Sequence, residues 1–310
     1  MTKNKICPLP KITVVTPVKN SVNTLEKAIK SVIKQNYPNL EYIVLDGGST
    51  DGTLEVIKKY ENFINYWDSK DDGSNVAAYV EGIKKSNGEI IGFLNADDFY
   101  EDDVLRKAGE EFAKNSDLDL VSFLLQVLRS DGKNYKILEA STTEGTNLDR
   151  EKIIYTLGIN ARFFKKEVFK KFGMPLPKDD QNRAFLSNDL EYMIRFTLLG
   201  IKNKTIDYIG YNYLSHEDSL TFSKNLKNQI RLCEDKIYIA KKFLTSTDLE
   251  IPQIWKKTFK KWIKKYRALI VKMNLKQRSF KEAKKNTLLG VKENGTANFL
   301  FYLFKTVLRR

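Results

Sequence analysis

Carboxylates gather at three places in the first third of the chain: Asp46, the pair Asp71-Asp72, and the pair Asp97-Asp98. Asp46 closes the β-branched run Tyr42–Leu45, and Asp97-Asp98 follow the apolar run Ile90–Leu94. Asp71-Asp72-Gly73-Ser74 forms a polar turn before a helical segment. Any one of these is an ordinary turn composition. Three at successive element ends point instead to a site, because gathered carboxylates repel unless a cation sits among them. A divalent metal holding a diphosphate answers that demand, since Mg²⁺ and Mn²⁺ prefer oxygen ligands. The phosphate loops of other nucleotide folds are absent: no GxGxxG follows the first strand and no GxxxxGK[ST] occurs.

The elements that must position these groups alternate. Lys11–Val15 reads as a strand ended by Pro17, and Val22–Gln35 carries Leu25, Ile29, Val32 and Ile33 at helical spacing. Tyr42–Leu45 and Ile90–Leu94 read as buried strands; Thr53–Tyr60, Val76–Lys85 and Glu101–Lys114 read as helices. Leu118–Leu125 and Tyr135–Leu138 form the arms of a hairpin around Arg129–Gly132. Strands alternating with helices predict an α/β fold, a mostly parallel twisted sheet flanked by helices. Ligands bind such sheets at the C-terminal strand ends, where the acidic groups fall.

The 310 residues suffice for one large domain with an appendage, and 42% hydrophobic residues exclude global disorder. Cys7 and Cys233 have neither metal-ligand nor disulfide spacing. The N-terminus shows no apolar signal-peptide core, and no apolar run reaches the roughly 18 residues of a membrane span. Residues 251–310 hold 17 Lys and Arg against two acidic residues, a net of +15 in a chain whose total is +14. That segment therefore expects an anionic partner.

The stretch KITVVTPVKNSVNTLEKAIKSVIKQNYPNLEYIVLDGGSTDGTLEVIKKY, followed by GEIIGFLNADDFY, resembles the family 2 glycosyltransferases of the GT-A fold. The resemblance spans residues 11–125 and, more loosely, 160–220. It implies a catalytic domain over 1–224 and a helical, basic, aromatic-rich region over 225–310. It also implies that Thr16-Pro17-Val18 line the nucleotide base, that Asn20 shapes the turn, and that Asp46 bonds uracil or ribose. Asp71, Asp72 and Gly73 lie near the nucleotide by the same implication. Asn95-Ala96-Asp97-Asp98 takes the place of the metal-binding Asp-x-Asp motif with Asn95 in its first position, so Asp97 is the expected ligand of Mn²⁺ or Mg²⁺, with Asp98 beside it. His216, the only histidine, is the candidate that closes over the metal or phosphate. In Ser187-Asn188-Asp189-Leu190-Glu191, Asp189 matches the catalytic base of inverting members; a plain helix-capping role is the other reading of Asn188 and Asp189.

Ala77 and Val80 stand where the family carries an Asp and an Asn, and the Gly73-to-Gly82 spacing is one residue longer than usual. These departures put donor-sugar contacts in question and motivate an alternative: a weakly active or non-catalytic polymer- or membrane-binding protein on a transferase scaffold. The leading reading is an inverting transfer from a nucleotide sugar, UDP-linked, to a polysaccharide or lipid-linked oligosaccharide. Within the tail, Trp255, Phe259, Trp262, Tyr266, Leu269, Ile270 and Met273 recur at helical spacing, with lysines off that stripe. Such a helix can lie on an anionic bilayer, or its stripe can pack inside the protein. The expected location is cytoplasmic, attached peripherally to the inner face of the membrane. Nucleic acid, which also attracts lysines and aromatics, ranks below a membrane.

Overall fold

The computed structural model describes residues 8–71, 75–130, 134–152, 158–176, 178, 186–215 and 225–308. The chain forms two compact units. The first comprises Met1–Leu148 and Ile154–Ser215, the second Asp149–Ile153 and His216–Arg310.

The first unit opens with β1 (Ile12–Val18), α1 (Leu25–Ile33), β2 (Leu40–Asp46), α2 (Thr53–Lys59), β3 (Tyr66–Ser69), α3 (Asn75–Lys85) and β4 (Ile90–Phe93). It continues with β5 (Phe99–Tyr100), α4 (Val104–Lys114), β6 (Leu120–Ser130), β7 (Tyr135–Ala140), α5 (Thr143–Thr146), β8 (Arg162–Lys165), α6 (Glu167–Lys171), α7 (Asn188–Leu198) and β9 (Asn203–Leu214). The sheet order is β3-β2-β1-β4-β8-β6-β9-β5, with β7 on β6. β3, β2, β1 and β4 run parallel, the block that the alternation predicts. Beyond β4 the sheet turns mixed: β8 is antiparallel to β4 and β6, and β9 is parallel to β6. The hairpin is present as β6 and β7. The short strands β3 and β5 carry no apolar alternation long enough to read from sequence.

β1 runs past Pro17 to Val18, because β4 pairs only as far as Val15 and no neighbour there needs the missing amide. Its residues are buried throughout, as a strand between two neighbours and covering helices requires. Leu25, Ala28, Ile29 and Val32 turn α1 onto this face. Gly82 lets α3 touch β1, since a Cβ there would meet Val15 Cγ1 at 2.4 Å. At the N-terminal strand ends, Glu41 accepts from Thr13 Oγ1 (2.6 Å) and from the Asn87 amide (2.7 Å), so that edge is closed by its own polar groups.

The second unit contains α8 (Leu226–Leu244), α9 (Gln253–Lys276), α10 (Phe280–Asn294) and α11 (Thr296–Leu308). α9 is the centre and packs against the other three. Its aromatic stripe faces inward: Trp255 and Phe259 are fully buried, and Phe259 stacks on Phe243 of α8 at 5.6 Å. Of the two readings of this stripe, packing holds for Trp255 and Phe259, which form helix-bundle core, while Trp262 and Tyr266 stay half-buried. Trp255 Nε1 donates to the Arg150 carbonyl, which is how Asp149–Ile153 joins this unit. Among the described residues no helix is long and apolar enough to cross a membrane.

Candidate functional site

Parallel pairing brings the C-terminal ends of β1, β2, β3 and β4 to one edge of the first unit. The loops after β1 and β2 are stitched together there. Asn20 adopts a left-handed backbone (φ 49°) and accepts from the Thr50 amide at 2.9 Å, while its own N–H donates to Ser49 Oγ. Asp51 accepts from Val22 N–H and from Thr53 N–H. Thr16 and Val18 are buried strand residues, and Thr16 Oγ1 lies 3.1 Å from Tyr42 Oη.

Asp46 is buried and organises the turn after β2. It accepts from the Gly48 amide (3.1 Å), the Ser49 amide (2.9 Å), Ser49 Oγ and, from β3, Ser69 Oγ (2.7 Å). Gly48 has φ 77°, and a Cβ there would lie 3.4 Å from the Asp71 amide nitrogen, so the turn closes onto Asp71. Asp71 is exposed and accepts from Lys19 Nζ at 3.3 Å. Beside them lies a cleft of about 130 Å³ whose walls include Asp46, Asp68, Lys70, Ala77 and Glu81. Ala77, the departure noted in the sequence, thus faces a cleft otherwise rich in charge.

At the end of β4, Asp98 is buried and both its oxygens are engaged. Oδ1 accepts from the Leu214 amide at 2.9 Å; Oδ2 accepts from Tyr211 Oη (2.7 Å) and Asn95 Nδ2 (3.0 Å). Burial, and then the Asp97 carboxylate, push its carboxyl up to about 8. Asn95 Oδ1 in turn accepts from Tyr79 Oη at 2.7 Å. A chain of hydrogen bonds, Tyr79–Asn95–Asp98–Tyr211, therefore ties α3 and β9 to the β4 loop. Ala96 is buried and Asp97 half-buried.

Asp189 stands in the first turn of α7, whose N-cap is Ser187. A carboxylate there is favoured by the helix dipole. Its Oδ1 accepts from the Leu190 amide at 2.8 Å. Its Oδ2 lies 3.9 Å from where a Gly158 Cβ would stand. Glu191 is fully buried against Arg195, which also holds the Gly173 and Met174 carbonyls and so fixes α7. The phenol of Tyr79, on α3, bonds the β4 loop through Asn95 and also feels the charge of Asp189. Burial raises its pKa most, and the charges of Asp189, Asp98 and Asp97 raise it further. Burial and then Asp189 raise Tyr192 in the same way. The structure thus draws Asp189 and the Asp97-Asp98 pair into one electrostatic neighbourhood. His216, Asp72 and Gly73 lie outside the described residues.

Tyr79, Tyr211 and Asp51 were not legible as site residues. Tyr79 and Tyr211 occupy inward positions of an amphipathic helix and a strand, where a tyrosine reads as core. Asp51 reads as one more turn aspartate. Arg162 and Phe163 are buried; Arg162 Nε donates to the Gly158 carbonyl and Nη1 to Ser122 Oγ.

Among the described residues no group of three or more His, Cys, Asp or Glu side chains is placed to hold a metal. The donor set fits a metal that arrives with phosphate oxygens, held by one or two carboxylates. Asp97 suits that arrangement better than Asp98, whose oxygens are already taken by protein donors.

The family model for glycosyl transferase family 2 matches residues 13–173, which is more than half of the chain. The chain belongs to glycosyl transferase family 2. It is 25% identical over 241 residues to the poly(ribitol-phosphate) β-N-acetylglucosaminyltransferase TarP of Staphylococcus aureus, covering 75% of this chain and 72% of that protein. It is 28% identical to the chondroitin synthase of Pasteurella multocida over 71% of this chain, but spans only 22% of that protein. A stretch 40% identical to an uncharacterized glycosyltransferase of Rickettsia bellii spans 13% of the latter's length. Among solved structures, S. aureus TarS 1–349 in complex with UDP superposes with a TM-score of 0.57 at 19% identity, over 96% of this chain and 81% of that one. The Pyrobaculum calidifontis mannosyltransferase PcManGT in complex with GDP-Man and Mn²⁺ gives 0.57 at 14% identity, over 97% and 87%. The fold is the GT-A type.

Proposed function

We propose that this protein is an inverting glycosyltransferase that moves a sugar from a UDP-sugar to a hydroxyl of a polysaccharide or lipid-linked oligosaccharide. The observation that carries this reading is the ordered acid edge of a family 2 chain: Asp46, and the Asn95–Asp98 loop held by Tyr79 and Tyr211, at the C-terminal ends of the parallel strands. The nucleotide would occupy the edge between the stitched β1 and β2 loops and the cleft beside Asp46 and Lys70. Asp97 would hold Mn²⁺ or Mg²⁺ against the diphosphate; such an ion, when bound, offsets the charge of the departing nucleoside diphosphate. Asp189 would accept the proton of the acceptor hydroxyl as its oxygen bonds the anomeric carbon and the bond to the diphosphate breaks. Asp98, Asn95 and Tyr79 would act by position, holding the β4 loop at a fixed depth. We assign this chemistry to the first unit and place it in the cytoplasm, where nucleotide sugars are supplied. TarS and PcManGT, solved in complex with UDP and with GDP-Man, support the donor class.

The test is incubation of the full chain with Mn²⁺ and a panel of UDP- and GDP-sugars, scoring thermal shift and nucleotide release. A metal-dependent rise in Tm with a UDP-sugar, followed by UDP release on adding acceptor glycan, is expected. Failure of every donor to bind or turn over would overturn the reading in favour of a non-catalytic scaffold with Ala77 in its cleft.

A further inference from the structure

With Trp255 and Phe259 of α9 buried, the apolar surface of the second unit lies elsewhere. α11 is pinned to α10 through Phe299, which is fully buried against Gly290; a Cβ at that glycine would meet the Phe299 ring at 2.2 Å. The opposite side of α11 is apolar and open. Leu300, Phe301, Phe304 and Val307 are exposed by 43, 64, 64 and 36% and recur at helical spacing. Lys305 borders this stripe with its Nζ 4.3 Å above the Phe301 ring. On α10, Lys281, Lys285, Leu288 and Lys292 fall on one exposed face at the same kind of spacing. The few acidic groups nearby are engaged: Glu293 bonds Arg267 and Lys241, and Glu282 pairs with Lys285.

We propose that the outward face of α11, bordered by Lys305 and set in the strongly basic segment 251–310, docks on an anionic lipid bilayer. Apolar side chains contiguous on an exposed helix face need a cover. Charge decides which cover. Residues 251–310 carry a net of +15, so a second copy of this chain would bring like charge against like. An anionic bilayer supplies opposite charge for the lysines and an apolar boundary for the phenylalanines. Long lysine stems suit such a surface, since they reach the headgroups while the rings insert. The proposal does not depend on the transferase reading.

Flotation of the full chain with vesicles tests it. Binding is expected to vesicles of equal parts phosphatidylglycerol and phosphatidylcholine, to weaken with salt, and to be absent on phosphatidylcholine alone. The double variant Phe301→Glu/Phe304→Glu should lose at least about tenfold in vesicle affinity. Lys281→Glu/Lys285→Glu/Lys292→Glu should lose a similar factor at low salt. All five positions are exposed, so unchanged circular dichroism is expected; Phe301→Ala/Phe304→Ala, which adds no charge, should weaken binding in the same direction. Wild-type protein that ignores anionic vesicles overturns the proposal, as does a Phe301→Glu/Phe304→Glu variant that binds like wild type. Sedimentation velocity adds a third check: wild-type oligomers that this double variant dissolves would assign the face to a second copy. Capture by RNA without vesicle binding would likewise overturn it.

Discussion

The strand-end edge of the first unit and the helical unit answer their carboxylates with different partners. In the first, the buried acids at the strand ends are met by neutral donors: Asp46 by two amides and two serine hydroxyls, Asp98 by Tyr211, Asn95 and an amide. In the second, Glu293 is met by cations, with Arg267 donating Nε (3.1 Å) and Nη2 (2.8 Å) to its two oxygens. Neutral donors orient a carboxylate without cancelling its charge, whereas a guanidinium does both. The strand-end edge is thus built from acids ordered by neutral groups, with the Asp98 carboxyl raised by burial and by Asp97, and a metal arriving with a diphosphate would meet Asp97 there. In the helical unit Glu293 and Glu282 pair with cations, and lysines of α10 such as Lys281, Lys285 and Lys292 are exposed.

The largest expected effect tests the chemistry of the first unit directly. Asp189→Asn should lower kcat by about 10²–10⁴-fold, the usual share of a positioned base, while leaving UDP-sugar binding by thermal shift intact. Unchanged turnover would remove Asp189 from the chemistry and leave it a helix-terminus residue. Glu293→Gln tests the opposite regime. Removing one partner of a buried pair strands the Arg267 charge and should cost ~3 kcal/mol in thermal or urea unfolding of the helical unit. Burial pushes the Glu293 carboxyl up, but Arg267 and Lys241 outweigh it and hold it below its usual range. A depressed carboxyl contributes stability above its unfolded pKa, and that stability drains as pH falls through the lower folded value. Acid unfolding of the wild type should therefore include a component absent from Glu293→Gln. The smallest effect belongs to Tyr79→Phe. It removes one hydrogen bond to Asn95 and should cost ~1 kcal/mol, read as a several-fold higher KM for the donor with kcat little changed. A loss confined to kcat would place Tyr79 in the transition state instead of in the loop's support.

The parallel block was readable because β1, β2 and β4 are apolar runs separated by amphipathic helices, a pattern that buried parallel strands must show. The extension through β8, β6 and β9 was less readable. Its strands pair across long separations, and which strand lies beside which is not written in any local period. Asp46 and Asp97 stand out by residue type at element ends, whereas Asp189 is picked out only by the family resemblance. Tyr79 and Tyr211 stand out by neither route, because a tyrosine that packs its ring and donates its hydroxyl looks like core until its partner is known. The tail leaves two readings open for a related reason. An aromatic stripe on α9 has the same helical period whether it meets lipid or other helices, and only the positions of α8, α10 and α11 distinguish the two.

The stitching of the β1 and β2 loops has a thermodynamic consequence. Asn20, Ser49, Asp51 and Thr53 bind those loops to one another through the chain's own groups. A nucleoside entering between such walls has little chain left to order, so the entropic penalty of coupled folding should be missing from its association. Calorimetry of nucleoside diphosphate binding should then return a heat-capacity change no larger than the ligand's own buried area accounts for.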